Sequence, residues 1–286
     1  MKTAGRRRNT FVRLEGAARI PKGAGLASVL GGSAGALYVV FIGLPVAALL
    51  IRAGQQTGFW DAVTGDLALT ALRLSVITSA ISISFVVLVG TPFAYLLARS
   101  HSLLARIIDS LVELPIVLPP VVAGVAMLMA FGRSGLLGSA LDDAGIVIPF
   151  TTVAVVFAQV FVAAPFYIRA AKLGFQSVAQ EYEDISQTLG VSPWSTFWRT
   201  TLPLASPSIV TGLGLAWARA LAEFGATMMF AGNLTGETQT MPLAIMTALE
   251  TSLDSALALS VLLLAGSAVV LALIGVLGRR RWTGRS

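Results

Sequence analysis

Cysteine is absent from this chain, which rules out disulfides, thiolate metal sites and cysteine nucleophiles. Histidine occurs once, as His101 in a short basic loop, so imidazole catalysis and a multi-histidine metal centre have no material to draw on. No G-x-x-x-x-G-K-[ST] string is present, and with it goes any phosphate-cradling loop for hydrolysing ATP within this polypeptide. Neither a G-x-S-x-G elbow nor an H-E-x-x-H pair occurs. Charge is scarce as well, at 12% of residues against 56% hydrophobic ones, a balance too apolar for an ordinary soluble domain.

What is present is a series of uncharged or nearly uncharged runs, each about 20 residues and so long enough to span a bilayer as a helix. They lie near Ala34 to Ile51, Leu74 to Leu97, Leu114 to Gly132, Ile146 to Ile168, Leu204 to Met229 and Ser255 to Gly278. The expectation is an all-α polytopic membrane protein with six transmembrane helices in one domain, 34–278. Basic tails flank it at 1–33 and 279–286. Strand-like alternation with regular turns is missing, which argues against an outer-membrane barrel.

The net charge of +6 is concentrated at the ends, in Arg6, Arg7, Arg8, Arg13, Arg19 and Lys22, and again in Arg279, Arg280, Arg281 and Arg285. That placement argues for both termini in the cytoplasm and against a nucleic-acid partner. Six spans then put Arg99, Arg106, Arg169, Lys172 and Arg199 inside. Arg52, Arg73 and Arg133 are left as outward exceptions. Arg7-Arg8 with Phe11 fits membrane anchoring better than an export signal, because no short apolar core with a small-residue cleavage site follows.

Between the fourth and fifth spans, EYEDISQTLGVSPWSTFWRTTLP reads as helix, turn, helix. Val178, Tyr182, Ile185 and Leu189 recur at helical spacing, while Glu181, Glu183, Asp184 and Gln187 are assigned to wetter faces. Gly190 supplies a left-handed stop, Ser192 and Pro193 the cap and first position of the next helix, and Leu202-Pro203 its end. On pattern alone, an amphipathic hairpin lying on the lipid interface is an alternative. Two further segments interrupt their spans with polar or helix-breaking residues. ELPIVLPPVVAG places Pro115, Pro119 and Pro120 in an apolar helix, after Glu113, where freed carbonyls need a neighbouring helix or a cavity. AWARALAEFGATMMFAGN puts Arg219 and Glu223 four residues apart on one helix face, as an ion pair that is either structural or part of a pathway or gate.

These three segments resemble the ATP-binding-cassette importer permeases of the molybdate and sulfate group, over roughly Leu69 to Leu273. The acidic residue six before Gly190, with Leu202-Pro203 beyond, is similar to that family's EAA loop, with Asp184, Ile185 and Ser186 at the Glu-Ala-Ala positions and Thr200 where a hydrophobic residue is usual. LPxVLPPxVAG and A-R-x-x-x-E-F-G-A-T resemble its membrane signatures, with Ala222 where glycine is usual. The outer segment AGNLTGETQTMPLAIMTALE is similar to one that meets a binding protein. The resemblance implies a type I importer permease and not an enzyme. Glu183, Asp184, Gly190, Leu202 and Pro203 would couple to an ATPase, and Pro119, Pro120, Arg219 and Glu223 would line a pathway or gate. It implies no cofactor in this chain, ATP and Mg held by partner ATPase subunits, an extracytoplasmic molybdate-binding protein, and a second copy or paralogue of the chain. Molybdate is favoured on overall likeness; tungstate fits equally, and sulfate or thiosulfate is the alternative. From a different class, an ion-coupled secondary transporter would use Arg219, Glu223 and a broken helix at midplane.

The lack of native cysteine makes topology directly testable. Single cysteines at Ser186, Asp143 and Thr235 should react with an impermeant thiol reagent on intact cells at the last two positions only. Strong labelling at Ser186 would reverse the orientation.

Overall fold

The computed structural model describes residues 24–280, with side chains from 32 to 276. The cationic residues of the two tails and the expected boundary at 278–279 fall outside the described side chains, and the expected boundary at 33–34 falls within the first helix. Residues up to Leu50 and from Ile51 onward form separate compact units. The first contributes most of α1 (Ala24–Gly54), a helix apolar on all sides. It starts ten residues before the expected span.

Every regular element of the second unit is helical among the described residues. In chain order these are α2 (Phe59–Thr64), α3 (Asp66–Arg99), α4 (Leu103–Val117), α5 (Pro120–Phe131), α6 (Gly138–Asp143), α7 (Thr152–Gln176), α8 (Gln180–Thr188) and α9 (Pro193–Thr196). A π-helical turn (Phe197–Thr201) leads on to α10 (Leu202–Leu221), α11 (Gly225–Phe230), α12 (Met241–Thr251) and α13 (Leu253–Arg280). Four helices among the described residues are long and apolar enough to cross a membrane: α1, α3, α7 and α13. The α4–α5 pair makes a fifth if it is counted as one bent span.

Two expected spans are therefore corrected. The third is not straight, because its axis turns by 119° between Val117 and Pro120. Pro119 and Pro120 offer no N–H to continue the ladder, and α5 alone, at about 18 Å, cannot reach across a hydrocarbon core of about 30 Å. The fifth does not run to Met229. Helix α10 ends at Leu221, and Ala222 and Glu223 form a break before α11.

Small residues set the packing. α3, α7 and α10 form the centre, with Tyr167, Phe175, Ala163, Ala171, Ala216 and Ala220 fully buried. A Cβ added at Gly212 would sit 2.6 Å from the Ala170 Cβ, and one at Gly174 2.8 Å from the Ser208 Cβ, so α7 and α10 are in near-backbone contact. Small side chains permit such close approach where lipid offers no hydrophobic drive to associate. Between α3 and α7, a buried polar seam takes the place of apolar packing. Ser82 donates to Gln159 Oε1 at 2.9 Å, Gln159 donates to Thr78 at 3.2 Å, and the Thr91 and Tyr167 hydroxyls lie 2.6 Å apart.

Gly212→Val should lower the thermal stability of the detergent-purified chain by about 1–3 kcal/mol, the usual cost of overpacking a tight contact. Gly214→Ala, whose new Cβ meets nothing nearer than 3.7 Å, should change it little. Equal melting temperatures for the two variants would contradict the packing.

Candidate functional site: a docking hairpin and a broken-helix junction

Helices α8 and α9 form the hairpin, and its turn is built as the sequence indicates. Gly190 has φ +80°, the Gly190 N–H donates to Gln187 O at 2.9 Å and the Val191 N–H to Ser186 O at 3.1 Å. This pair of bonds is the Schellman arrangement, which satisfies the last carbonyls of α8. Ser192 caps α9 through the Ser195 N–H, and the Ser186 and Thr196 hydroxyls, 2.8 Å apart, tie the two helices together. Nothing lies within 4 Å of a Cβ placed at Gly190, so a side chain there costs backbone strain alone.

Glu183 is the main correction. It was assigned to a wet face, yet only 6% of its surface is accessible, whereas Asp184 beside it is exposed. Its Oε1 accepts from Arg99 Nη2 and from Thr201 Oγ1 at 2.9 Å, and its Oε2 accepts from Tyr95 at 3.1 Å. Arg99 also donates to Val178 O at 3.3 Å. Burial by itself pushes the Glu183 carboxyl up, but the Arg99 hydrogen bond, then that of Thr201, the Arg99 charge and the Tyr95 hydroxyl outweigh it and hold the group below its ordinary 4.5. One carboxylate thus joins the hairpin to the end of α3 and to the π turn that leads into α10. The periodicity of the apolar residues placed Glu183 on the wrong face because it does not register an arginine 84 positions earlier.

Val178 also departs from the expected stripe, since it precedes α8 and is buried in the core. Tyr182, Ile185 and Leu189 do share an open face, and Trp194 and Trp198 extend it. Beneath them, Tyr95 meets Phe175 and Phe197 edge-on at 5.4 and 5.2 Å, and Phe197 meets Trp198 at 5.4 Å. Aromatic contacts therefore run from the helical core to the exposed surface of the hairpin. Leu202-Pro203 does not end a helix. Its backbone continues from α9 through the π turn, where the Leu202 N–H donates to Phe197 O, and into α10. A wider turn absorbs the N–H that Pro203 lacks.

The membrane motifs meet each other. Gly225, at the start of α11, packs so closely on α5 that a Cβ there would lie 2.7 Å from the Pro120 Cβ; Gly124 faces Met229 and Ala226 in the same way. The proline break and the break after α10 are two sides of one junction. Glu223 lies within it, with its side chain fully buried. Its Oε1 accepts from the Ala226 N–H at 2.7 Å and so caps α11, while Oε2 is 2.7 Å from Arg219 Nη1 as an ion pair without a hydrogen bond. Arg219 is partly open, at 28%. Ala222, at φ −84°, needs no glycine and is exposed, so it does not tighten packing.

The segment AGNLTGETQTMPLAIMTALE supplies buried polar residues that sequence alone does not single out. Thr238, Gln239, Thr240 and Met241 are buried, the Leu234 N–H donates to Thr238 Oγ1 at 2.9 Å and the Met241 N–H to Ser75 Oγ at 2.7 Å. Thr152 donates to Glu237 O at 2.8 Å, stapling the loop to α7. Helix α12 packs on α3 and α13 of its own chain.

Residues 90–283 match the family model described as binding-protein-dependent transport system inner membrane component. The chain belongs to that permease family. It is 46% identical over 237 residues to the molybdenum transport system permease protein ModB of Mycobacterium tuberculosis, covering 83% of this chain and 89% of that one. A sulfate transport system permease, CysW of Synechococcus elongatus, is 33% identical over 252 residues, covering 87% and 88%. Among solved structures, a bacterial ABC transporter involved in alginate import aligns with a TM-score of 0.71 at 15% identity, over 90% of this chain and 96% of that one. The fold is that of a type I importer permease. The family's inner-membrane permeases and the apolar helices together make this a multi-pass membrane subunit.

Glu183→Gln should destabilise the hairpin by about 1.5–3 kcal/mol, the range for hydrogen bonds to a charged group. Because the folded carboxyl titrates below its ordinary value, its contribution is complete above that value and fades as pH falls through the folded one. The variant should therefore lose less stability than the parent on acidification, in thermal scans from neutral to acid pH. Identical acid limbs would remove the clamp.

Proposed function

We propose that this chain is the membrane-spanning permease subunit of an ATP-driven importer that carries molybdate, or the like-sized tungstate, across the cytoplasmic membrane of a prokaryote. The observation that carries the substrate is the 46% identity to a molybdenum permease over most of both chains, against 33% to a sulfate permease. Sulfate is the second reading on the strength of that lower likeness. Family membership replaces the ion-coupled secondary transporter as the energy scheme.

In this reading both termini and the hairpin face the cytoplasm, and two copies of the chain, or one with a paralogue, enclose one pore. Two ATPase subunits hold ATP and Mg, and an extracytoplasmic molybdate-binding protein delivers the anion. The ATPase receives the open face of Tyr182, Ile185, Leu189, Trp194 and Trp198. ATP binds one arrangement of the ATPase pair better than the other and so shifts the permease between inward- and outward-open states. Movement of the hairpin reaches α3 through Glu183–Arg99 and reaches α10 through Thr201 and the π turn. Helix α10, about 30 Å long, carries that movement to the junction of Arg219, Glu223 and Pro120, where the pathway opens or closes. Glu183, Gly190, Leu202 and Pro203 then act from inside the hairpin and its root, while Asp184 stands at its surface. Oxyanions of one charge and shape differ mainly in size, so discrimination belongs to the binding protein.

Cells lacking this permease should lose uptake of radiolabelled molybdate at nanomolar-scale supply and keep sulfate uptake. Sulfate starvation with intact molybdate uptake would transfer the assignment to the second reading. At the junction, Arg219→Met and Glu223→Met should each cost about 3–5 kcal/mol in assembly, as breaking a buried pair does, and the double variant less than their sum. Strict additivity would show that the pair is not coupled.

A further inference from the structure

At the end of the bundle that carries the hairpin, two cavities lie side by side and share His101 and Gln176. One, of about 440 Å³, is lined by Ser100, Arg106, Asp109 and Lys172 in addition to those two. The other, of about 390 Å³, adds Arg99 and Gln180, the first residue of α8. The lining is rich in donors and almost without acceptor charge. Asp109 is its one carboxylate, and it is already engaged by Lys172 at 2.6 Å. Arg99 is engaged by Glu183 and by Val178 O. Arg106 makes no ion pair among the described residues. A concave, donor-lined space with surplus positive charge suits an anion that offers several oxygens.

The depth of this site follows from α4. Its polar face is bound to α7 through Asp109–Lys172 and through Glu113–Arg169 at 3.7 Å. Its opposite face leaves Leu103, Leu104, Ile107 and Leu111 at least half exposed. The exposed, non-helical Ser100, His101 and Ser102 lead into α4, and lipid-exposed irregular backbone is excluded from the hydrocarbon, so the N-terminal end of α4 marks the boundary with water while its apolar face meets lipid. The mouth of the cavities, at the N-terminal end of this helix, is then level with lipid headgroups.

We propose that the paired cavities bind a phosphoryl anion, supplied by the headgroup of an anionic phospholipid in the adjoining leaflet. The site rests on the reading that this end of the bundle faces the cytoplasm, the side whose lipids carry negative charge. Arg106 and His101 are the donors, with Gln176 and Gln180 beside them, and the acyl chains run along the open face of α4. The occupant touches α3, α4, α7 and the first residue of the docking helix at once. Lipid composition would therefore set how firmly the root of the hairpin is held.

The test is native mass spectrometry on the full-length chain in detergent, with phosphatidylglycerol, phosphatidylcholine and inorganic phosphate as probes. The chain should retain phosphatidylglycerol in preference to phosphatidylcholine. Retention should fall about fivefold in Arg106→Gln, which removes one cation, and further in Arg106→Gln/His101→Gln, which also removes the imidazole. Neither side chain makes a hydrogen bond or ion pair among the described residues, so both variants should melt with the parent. Arg133→Gln, at the other end of the bundle, should bind as the parent does. Displacement of the lipid by millimolar phosphate would keep the anion site and overturn the lipid as its source. Equal retention by parent and double variant, or an equal loss in Arg133→Gln, would overturn the site. The readout is binding and not uptake, so its failure leaves the transport assignment standing.

Discussion

In a hydrocarbon solvent, a backbone N–H or C=O released from a helix has no water to turn to, and each interruption of this fold is shaped by that demand. Where α10 stops, the Glu223 carboxylate accepts the Ala226 N–H of the next helix. Where the loop before α12 turns, the Thr238 hydroxyl accepts the Leu234 N–H, and where α12 begins, Ser75 from another helix accepts the Met241 N–H. Glu223, Thr238 and Ser75, buried polar residues in so apolar a chain, are the partners of its irregular backbone. Because only irregular backbone can present polar groups within a membrane, the same positions are where a pathway for an anion can be built.

The hairpin inverts the usual arrangement of a soluble amphipathic pair. Glu183, one of its charged residues, is turned inward to Arg99, Tyr95 and Thr201, while its apolar residues Ile185, Leu189 and Trp194 face out. An exposed apolar face is costly as a free surface and suits the interface proposed for it, and the buried charge holds orientation where side-chain packing alone would allow sliding. The closely fitted α7–α10 contact at Gly212 and Ala170 continues the same rigidity into the membrane.

Local signals were read well from sequence. Gly190 as a left-handed stop, Ser192 as a cap and Arg219–Glu223 as a pair depend on residues within a turn or two of one another, and the structure has each of them. What sequence misplaced depends on distant partners or on helix continuity. Glu183 was set on the wet face because its arginine lies in another helix. Leu202-Pro203 was taken as a terminus because proline usually ends a helix, and hydropathy alone ran the fifth span straight across the break at Ala222. The meeting of Pro120 with Gly225 left no trace in either segment considered singly, since each glycine reports only that something comes close and not what.

The π turn at Phe197–Thr201 places one additional residue in what is otherwise a continuous helical path from Pro193 to Leu221. A single residue is worth about 100° of rotation about a helix axis. The turn therefore acts as a phase shifter, dividing the path into two segments whose faces are set independently. On one side the phase directs Trp194 and Trp198 outward, and on the other it brings Gly212 against Ala170. A docking surface joined in this way can change its residues to suit a different partner without rotating the membrane helix out of register with the neighbours it was fitted to.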